Sequence, residues 1–405
     1  MTTTLDGSAA VAALRNTSAI RERARHLLQR ARTGDSHWFL VDDDALAHAA
    51  VEVADVTRTR YPTLDVPYHS RWRHFEAGGV DRRAELATRT THVDSAARAR
   101  SMIDLAVVSV LLDAGAGTDW HYLEPGTGLA LTRSEGLGVA SWHAFCGGLF
   151  SSDPGDPLRA DATALHRLDD ESLAAAFQVD SGNPLLGLAG RVQLLRRLGT
   201  QLAARPDVFG PHGRPGGLFD TVAGPTVAAH DLLSTVLDTL SGVWLTGNAI
   251  GGQPLGDCWR HGAVPGPGLS RGWMPFHKLS QWLTYSLLEP FEWAGVAVTD
   301  LDALTGLPEY RNGGLLLDTG VLRLRDPAVA QSDWAVDDEI VVEWRALTVA
   351  LLDELAPLVR HELAAPQLPL ACVLEGGTWA TGRALAARLR DGRPPLSIIS
   401  DGTVF

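Results

Sequence analysis

The chain carries 48 acidic and 35 basic side chains over 405 residues, a formal charge of −13 at pH 7, with no basic block. That balance excludes a nucleic-acid scaffold, which needs clustered Lys and Arg to meet phosphates. With 45% apolar and 20% charged residues the chain can bury a sizeable core, so intrinsic disorder is excluded too.

From the N-terminus, MTTTLDGSAAVAALRNTSAIRERARH lacks the basic start and apolar core of a secretory signal. Residues 18–33 read as an amphipathic helix, with Ser18 a candidate N-cap and Gly34 its stop. A strand is predicted at 38–41. Asp94 opens a helix through SAARARSMIDLAVVSVLLDAG, apolar on every side in its second half and therefore placed in the core. The apolar run 105–112 inside it is far short of a membrane span. Further helices are predicted at 165–177, 185–204, 226–242, 276–293, 337–362 and 378–390, and strands at 320–324 and 397–404. In 337–362, Ile340, Trp344, Leu347, Leu351, Leu355 and Leu358 recur at spacings of three or four, one buried stripe. Glycine and proline gather in loops at 114–128, 146–157, 205–217, 250–272 and 305–320, the walls expected of a site.

The predicted fold is mainly α, a multi-helix globular enzyme domain with a few short β-strands. No repeat or long linker divides the sequence, so one continuous globular unit over 1–405 is expected. Within it, 1–90 would supply helices and a basic-aromatic loop, 91–330 a helical catalytic core, and 331–405 helices packing on that core. Cys146, Cys258 and Cys372 form no CxxC pair, and the 14 histidines lack ligand spacing, so neither disulfide nor metal is expected. The chain reads as a soluble, cytoplasmic protein without membrane association.

The string FHKLSQWLTYSLLEP, 276–290, holds the sole lysine of the sequence. As a helix it puts Lys278, Gln281, Trp282 and Tyr285 on one face and Phe276, Leu279, Leu283 and Leu287 on another. The bland reading is an amphipathic surface helix. A chain that otherwise uses arginine for positive charge makes a chemical role for this ammonium the sharper one. In LTGLPEYRNGG, Pro308 and Gly313-Gly314 bracket Glu309, Tyr310 and Arg311. Such a loop either aims a carboxylate into a pocket, suited to stabilising an oxocarbenium-like centre or orienting water, or is a solvated turn. VPYHSRWRHFEAGG interleaves His69, Arg71 and Arg73 with aromatic rings, a composition that grips a phosphate or forms a salt-bridged connection. Asp113, Asp119 and Trp120 lie in glycine-rich turns where acids beside tryptophan line sugar or base pockets, solvated loop acids being the alternative. GxxxxGK[ST], HExxH and GxGxxG are all absent, which removes the common NTPase, zincin and dinucleotide readings. EGGTWATGR, 375–383, and SDGTVF, 400–405, are distinctive strings without a derivable chemistry.

Together, PYHSRWRHFEAGG, SVLLDAGAG, SEGLGVAS, FHKLSQWLTYSL, LTGLPEYRNGGL, LEGGTWATGR and SDGTVF resemble a bacterial and fungal family tied to the reductase-independent uracil catabolism (URC) pathway, over about residues 10–405. The resemblance implies a pathway that makes a nucleotide from uracil, opens the ring, and disposes of a ribosylurea-type intermediate as urea and sugar. The order FxKxxQ followed by LT and [DE]YR is also similar to the queuosine salvage hydrolases, helical enzymes that cleave the N-glycosidic bond of a nucleoside 5′-monophosphate. That similarity, over about 105–320, implies a catalytic Glu309 with Lys278 in the same site, Glu standing where that family has Asp.

The expectation is a cofactor-free, metal-independent N-ribosyl hydrolase acting on ribosylurea, its 5′-phosphate or a pyrimidine nucleotide. Glu309 would sit by the anomeric carbon and Lys278 would hold it ionised or assist the departing nitrogen. Gln281 would share the Lys278 face, Asp113 and Asp119 would take ribose hydroxyls, Trp120, Trp282 and Tyr310 would flank the planar group, and Arg71, Arg73, His69 and Arg311 would receive the phosphate. Two rivals stand beside it: an amidohydrolase or deaminating step on the opened ring, and a non-catalytic binding partner of the ring-opening enzyme.

Overall fold

Helices dominate the computed structural model, which describes residues 7–222 and 224–399, and the strands are short and paired in twos. The expected mainly-α class is the observed one. SDGTVF and the end of the strand predicted at 397–404 lie outside the described residues. No helix among those described is long and apolar enough to cross a membrane. The described chain divides into two compact units, one of residues 7–69, 248–281 and 301–399, the other of 70–247 and 282–300.

The spine of the first unit is the helix Glu339–Glu362, whose Ile340, Trp344, Leu347, Leu351 and Leu355 are all buried, as their spacing requires. Helices Thr17–Arg32 and Ala45–Arg60 pack along it. The first starts one residue earlier than predicted, because Asn16 rather than Ser18 caps it: Asn16 Oδ1 accepts from Ser18 N at 2.7 Å. Ala45–Arg60 escaped the pattern reading. Its buried positions Leu46, Ala49, Ala50, Val53, Ala54 and Thr57 have helical spacing, but alanines dilute the apolar contrast. Strand Phe39–Val41 pairs antiparallel with Leu322–Leu324, and Ser397–Ile399 runs parallel to Asp333–Ala335.

The 305–320 segment, expected as a loop, is largely the helix Tyr310–Asp318. Its glycines serve close packing instead of a turn: a Cβ on Gly313 would lie 2.7 Å from the Trp344 ring, whose Nε1 donates to Gly313 O. Helix Trp379–Arg390 packs on the same element through Gly382, where an added Cβ would overlap the carbonyl oxygen of Arg311. Gly382→Ala is therefore expected to lower stability by about 1–3 kcal/mol, the range for overpacking, even though alanine favours a helix over glycine by about 1 kcal/mol. Chemical denaturation decides this, and a stabilised variant would contradict the packing account.

In the second unit, helix Ser95–Leu111 is capped by Asp94, which accepts from Ala97 N, and is buried from Ser101 onward, as predicted. The helix expected at 165–177 is two, Ala162–Arg167 and Asp170–Ala176, because Asp169 caps a new start by accepting from Ser172 N. The 226–242 segment opens as strand Thr226–Ala228, parallel to Ala297–Thr299, before helix Ala229–Leu240. Arg133–Cys146 is also helical, with Thr132 at its N-cap position. Its Gly136 and Gly138 admit the Trp120 ring and the His74 and Arg71 side chains.

A candidate active site around Glu309

Glu309 occupies the N-cap position of helix Tyr310–Asp318, with extended backbone. Its Oε2 accepts from Arg311 N at 2.7 Å and its Oε1 from Asn312 N at 2.5 Å. Glutamate is not among the preferred capping residues, since its extra methylene must fold back to reach these amides. Each oxygen keeps a second lone pair, so capping leaves acceptor capacity. Burial pushes the Glu309 carboxyl up from its ordinary range, and the two amides, then the charges of Lys278 and His69, pull against that rise. Residues from three separate strings, PYHSRW, FHKLSQ and LPEYR, thus act on one carboxylate.

A buried ion pair fixes two of these strings. Arg345 Nη1 and Nη2 donate to Asp257 Oδ1 at 2.9 Å and Oδ2 at 2.8 Å, a bidentate geometry. Arg345 Nε also donates to Pro308 O, the residue before Glu309, and its guanidinium lies over the Phe276 ring. Asp257 Oδ2 accepts from Lys278 N at 2.9 Å, and Asp257 O accepts from Phe276 N and His277 N. His277 turns the chain into the helix Lys278–Trp293 with φ +50°, a sparsely populated conformation for a non-glycine residue. Burial would raise Asp257, but Arg345 first, and then the amide of Lys278 and the indole of Trp259, bring it down to about 2.

His69 is set by a second group. Its Nδ1 donates to Glu375 Oε2 at 2.8 Å, while Glu375 Oε1 accepts from Arg60 Nη2 at 2.8 Å and Tyr61 OH at 3.2 Å. Burial alone would raise Glu375, yet His69 and then Arg60 hold it near 2. Glu375 lies in a π-turn, Leu374–Thr378, whose Gly376 and Gly377 pack against Thr57 and Val53. This gives the EGGTW string a role: two glycines bring a carboxylate in to orient His69. Asp257, Arg345 and Glu375 were all missed by sequence reasoning. A charge within the largely apolar run 340–352 was the available signal for Arg345, since such residues are seldom buried unpaired.

Other predicted residues of this unit are placed as follows. Gln281 is fully buried and its amide is taken up by Phe276 O, Thr305 Oγ1 and Thr305 N. Arg311 donates through Nη1 to Gly392 O and lies over the ring of Tyr310, which is exposed.

In the second unit, Arg71 is fully buried, with Nε on Ser109 Oγ at 2.7 Å, Nη1 on Ser134 O, and Nη1 3.1 Å from Asp113 Oδ1. Burial lowers its guanidinium from the usual value and Asp113 opposes that shift. Its Cζ lies 5.6 Å from the centre of the Trp282 ring. Arg71 Nη2 and Trp282 Nε1 are both buried without a protein acceptor, donors suited to an oxygen-rich group. Arg73 pairs with Glu289 at 2.7 Å and Glu76 at 3.2 Å. Trp120 is fully buried, donating to Phe177 O, and Asp119 is exposed beside Thr118.

Residues 13–405 match the family model described as "Protein of unknown function (DUF1688)". The chain belongs to the DUF1688 family. Among curated relatives, this DUF1688 protein is 42% identical over 409 residues to "Protein urg3" of Schizosaccharomyces pombe, covering 98% of this chain and 99% of that one. It is 36% identical over 440 residues to "Uracil catabolism protein 4" of Lachancea kluyveri, again over 98% and 99% of the two chains.

Proposed function

We propose that this DUF1688 protein acts in uracil catabolism as an N-ribosyl hydrolase, splitting ribosylurea or its 5′-phosphate into urea and the sugar. The role in uracil catabolism is supported by the name of the Lachancea kluyveri relative. The hydrolytic reading is supported by a buried carboxylate, Glu309, whose two oxygens are fixed by Arg311 N at 2.7 Å and Asn312 N at 2.5 Å and which lies within electrostatic reach of Lys278 and His69. In this reading Glu309 faces the anomeric carbon and stabilises positive charge on the sugar as the C–N bond breaks. Water adds to the anomeric carbon, losing one proton, and the departing urea nitrogen takes up one, so the step balances with water as co-substrate. Lys278 or His69 supplies the proton to the leaving nitrogen, and Glu375 keeps the imidazole oriented.

The test is product analysis. Purified protein is incubated with ribosylurea, ribosylurea 5′-phosphate, uridine and UMP, and free sugar and released base are measured by mass spectrometry. Sugar release from one of the ribosylureas is the expected result. Release of ammonia with the sugar still attached would transfer the assignment to ureido-group hydrolysis, and no turnover with retained binding would make the protein a binding partner.

A further inference from the structure

A cavity of about 350 Å³ lies in the first unit and is lined by Arg30, Asp35, His37, His261, Glu339 and Glu343. Glu343 is 3% exposed. His261 Nδ1 accepts from Ala263 N at 3.1 Å, which puts the ring proton on Nε2, directed at Glu343 Oε2 at 3.1 Å. Glu343 Oε1 is buried and has no protein donor. Buried carboxylate oxygens are nearly always hydrogen-bonded, so an oxygen left over on a cavity-lining side chain points to a donor from outside the chain. The other charges agree. Glu339 meets Trp38 Nε1 at 3.4 Å and Gly262 N at 3.3 Å, both long, and Arg30 Nη2 donates to Asp35 O, so three carboxylates face a single guanidinium that is engaged on a backbone carbonyl. Among the described residues no three His, Cys, Asp or Glu side chains are grouped to hold a metal ion.

We propose that this cavity binds a small amine or ureido compound through N–H groups directed at Glu343 Oε1. The site is distinct from that of Glu309: Glu343 and Arg345 are two positions apart on one helix, about 200° around its axis, and Arg345 is the residue that holds the Lys278 and Glu309 strings. His261 positions Glu343 by occupying one oxygen, which leaves the other to select for N–H donors and against anions and ethers.

The experiment is ligand-observed saturation-transfer NMR on the full-length protein, with methylammonium and N-methylurea as the probes. Binding of methylammonium alone identifies a charged amine as the ligand class, and binding of N-methylurea identifies neutral N–H donors. Glu343→Gln should weaken the bound probe by about tenfold or more, as expected for loss of a hydrogen bond to a charged group. Ala263→Trp, which occupies the cavity while leaving all three carboxylates in the chain, should do the same and serves if Glu343→Gln fails to fold. Glu309→Gln should leave this binding unchanged. Failure of both probes to bind wild type, or binding that survives Ala263→Trp in a folded protein, overturns the proposal, and neither result bears on sugar release.

Discussion

Glu309→Gln is expected to remain folded and to turn over about 10³-fold more slowly than wild type on whichever ribosyl compound yields sugar. The two consequences separate because the carboxylate serves two purposes. As a cap it satisfies the amides of Arg311 and Asn312. A glutamine retains one such acceptor and turns its NH₂ toward the other amide, which costs about 0.5–2 kcal/mol. As an electrostatic group it loses its charge entirely, and removing a preorganised group facing transition-state charge costs about 10²–10³ in rate. Denaturation midpoints and kcat measured side by side distinguish the two. A variant that loses stability and keeps its rate would make Glu309 a helix cap only. Because burial raises the Glu309 carboxyl, the acid limb of the rate profile should lie above the ordinary 4.5, with activity falling as pH drops through it.

Asp257→Asn should cost about 3–5 kcal/mol, the penalty for stranding a buried arginine without its partner. The bidentate pair is almost completely buried, with side-chain exposures of 1% and 5% for Arg345 and Asp257. The pair also holds Lys278 N and Pro308 O, so the same change should loosen both motif strings and lower kcat together with stability. Its pH dependence has a defined sign. Asp257 falls from 3.8 to about 2 on folding, so its contribution is fully present above 3.8 and is lost as pH falls toward 2. Urea unfolding should accordingly show a wide gap between wild type and variant at neutral pH that narrows below pH 3.8. A constant gap across that window would mean that the carboxylate's charge is not what the pair contributes. Arg345→Met on the Asp257→Asn background should restore part of the loss, since the stranded charge is then gone.

The sequence made the fold class and most long helices legible because apolar spacing and Asp caps are local signals, as at Ile340–Leu355 and at Asp94. Glycine was a source of error. Gly313 read as a turn residue, and it is instead a helix position that admits the Trp344 ring, information held by the partner and not by the segment. At the site, Lys278 and Glu309 stood out through rarity and motif order. Asp257 and Glu375 did not, because a carboxylate that orients another residue is indistinguishable in sequence from a solvated one. Gln281 looked like a member of the Lys278 face, whereas its amide ties the start of the helix to Thr305.

The first unit gathers three stretches of chain, and the residues around Glu309 come from all of them: His69 from the first, Asp257 and Lys278 from the second, Arg345 and Glu375 from the third. The second unit is by contrast almost one uninterrupted stretch, 70–247, closed by 282–300. During synthesis the ribosome therefore releases nearly the whole second unit before the first can close, and long-range pairing of this kind makes the first unit the slower to form. Glu375, the carboxylate that orients His69, emerges after both Lys278 and Glu309. A nascent chain halted before it would carry Glu309 and Lys278 without the residue that fixes the imidazole, so the site is assembled only once synthesis has passed Glu375.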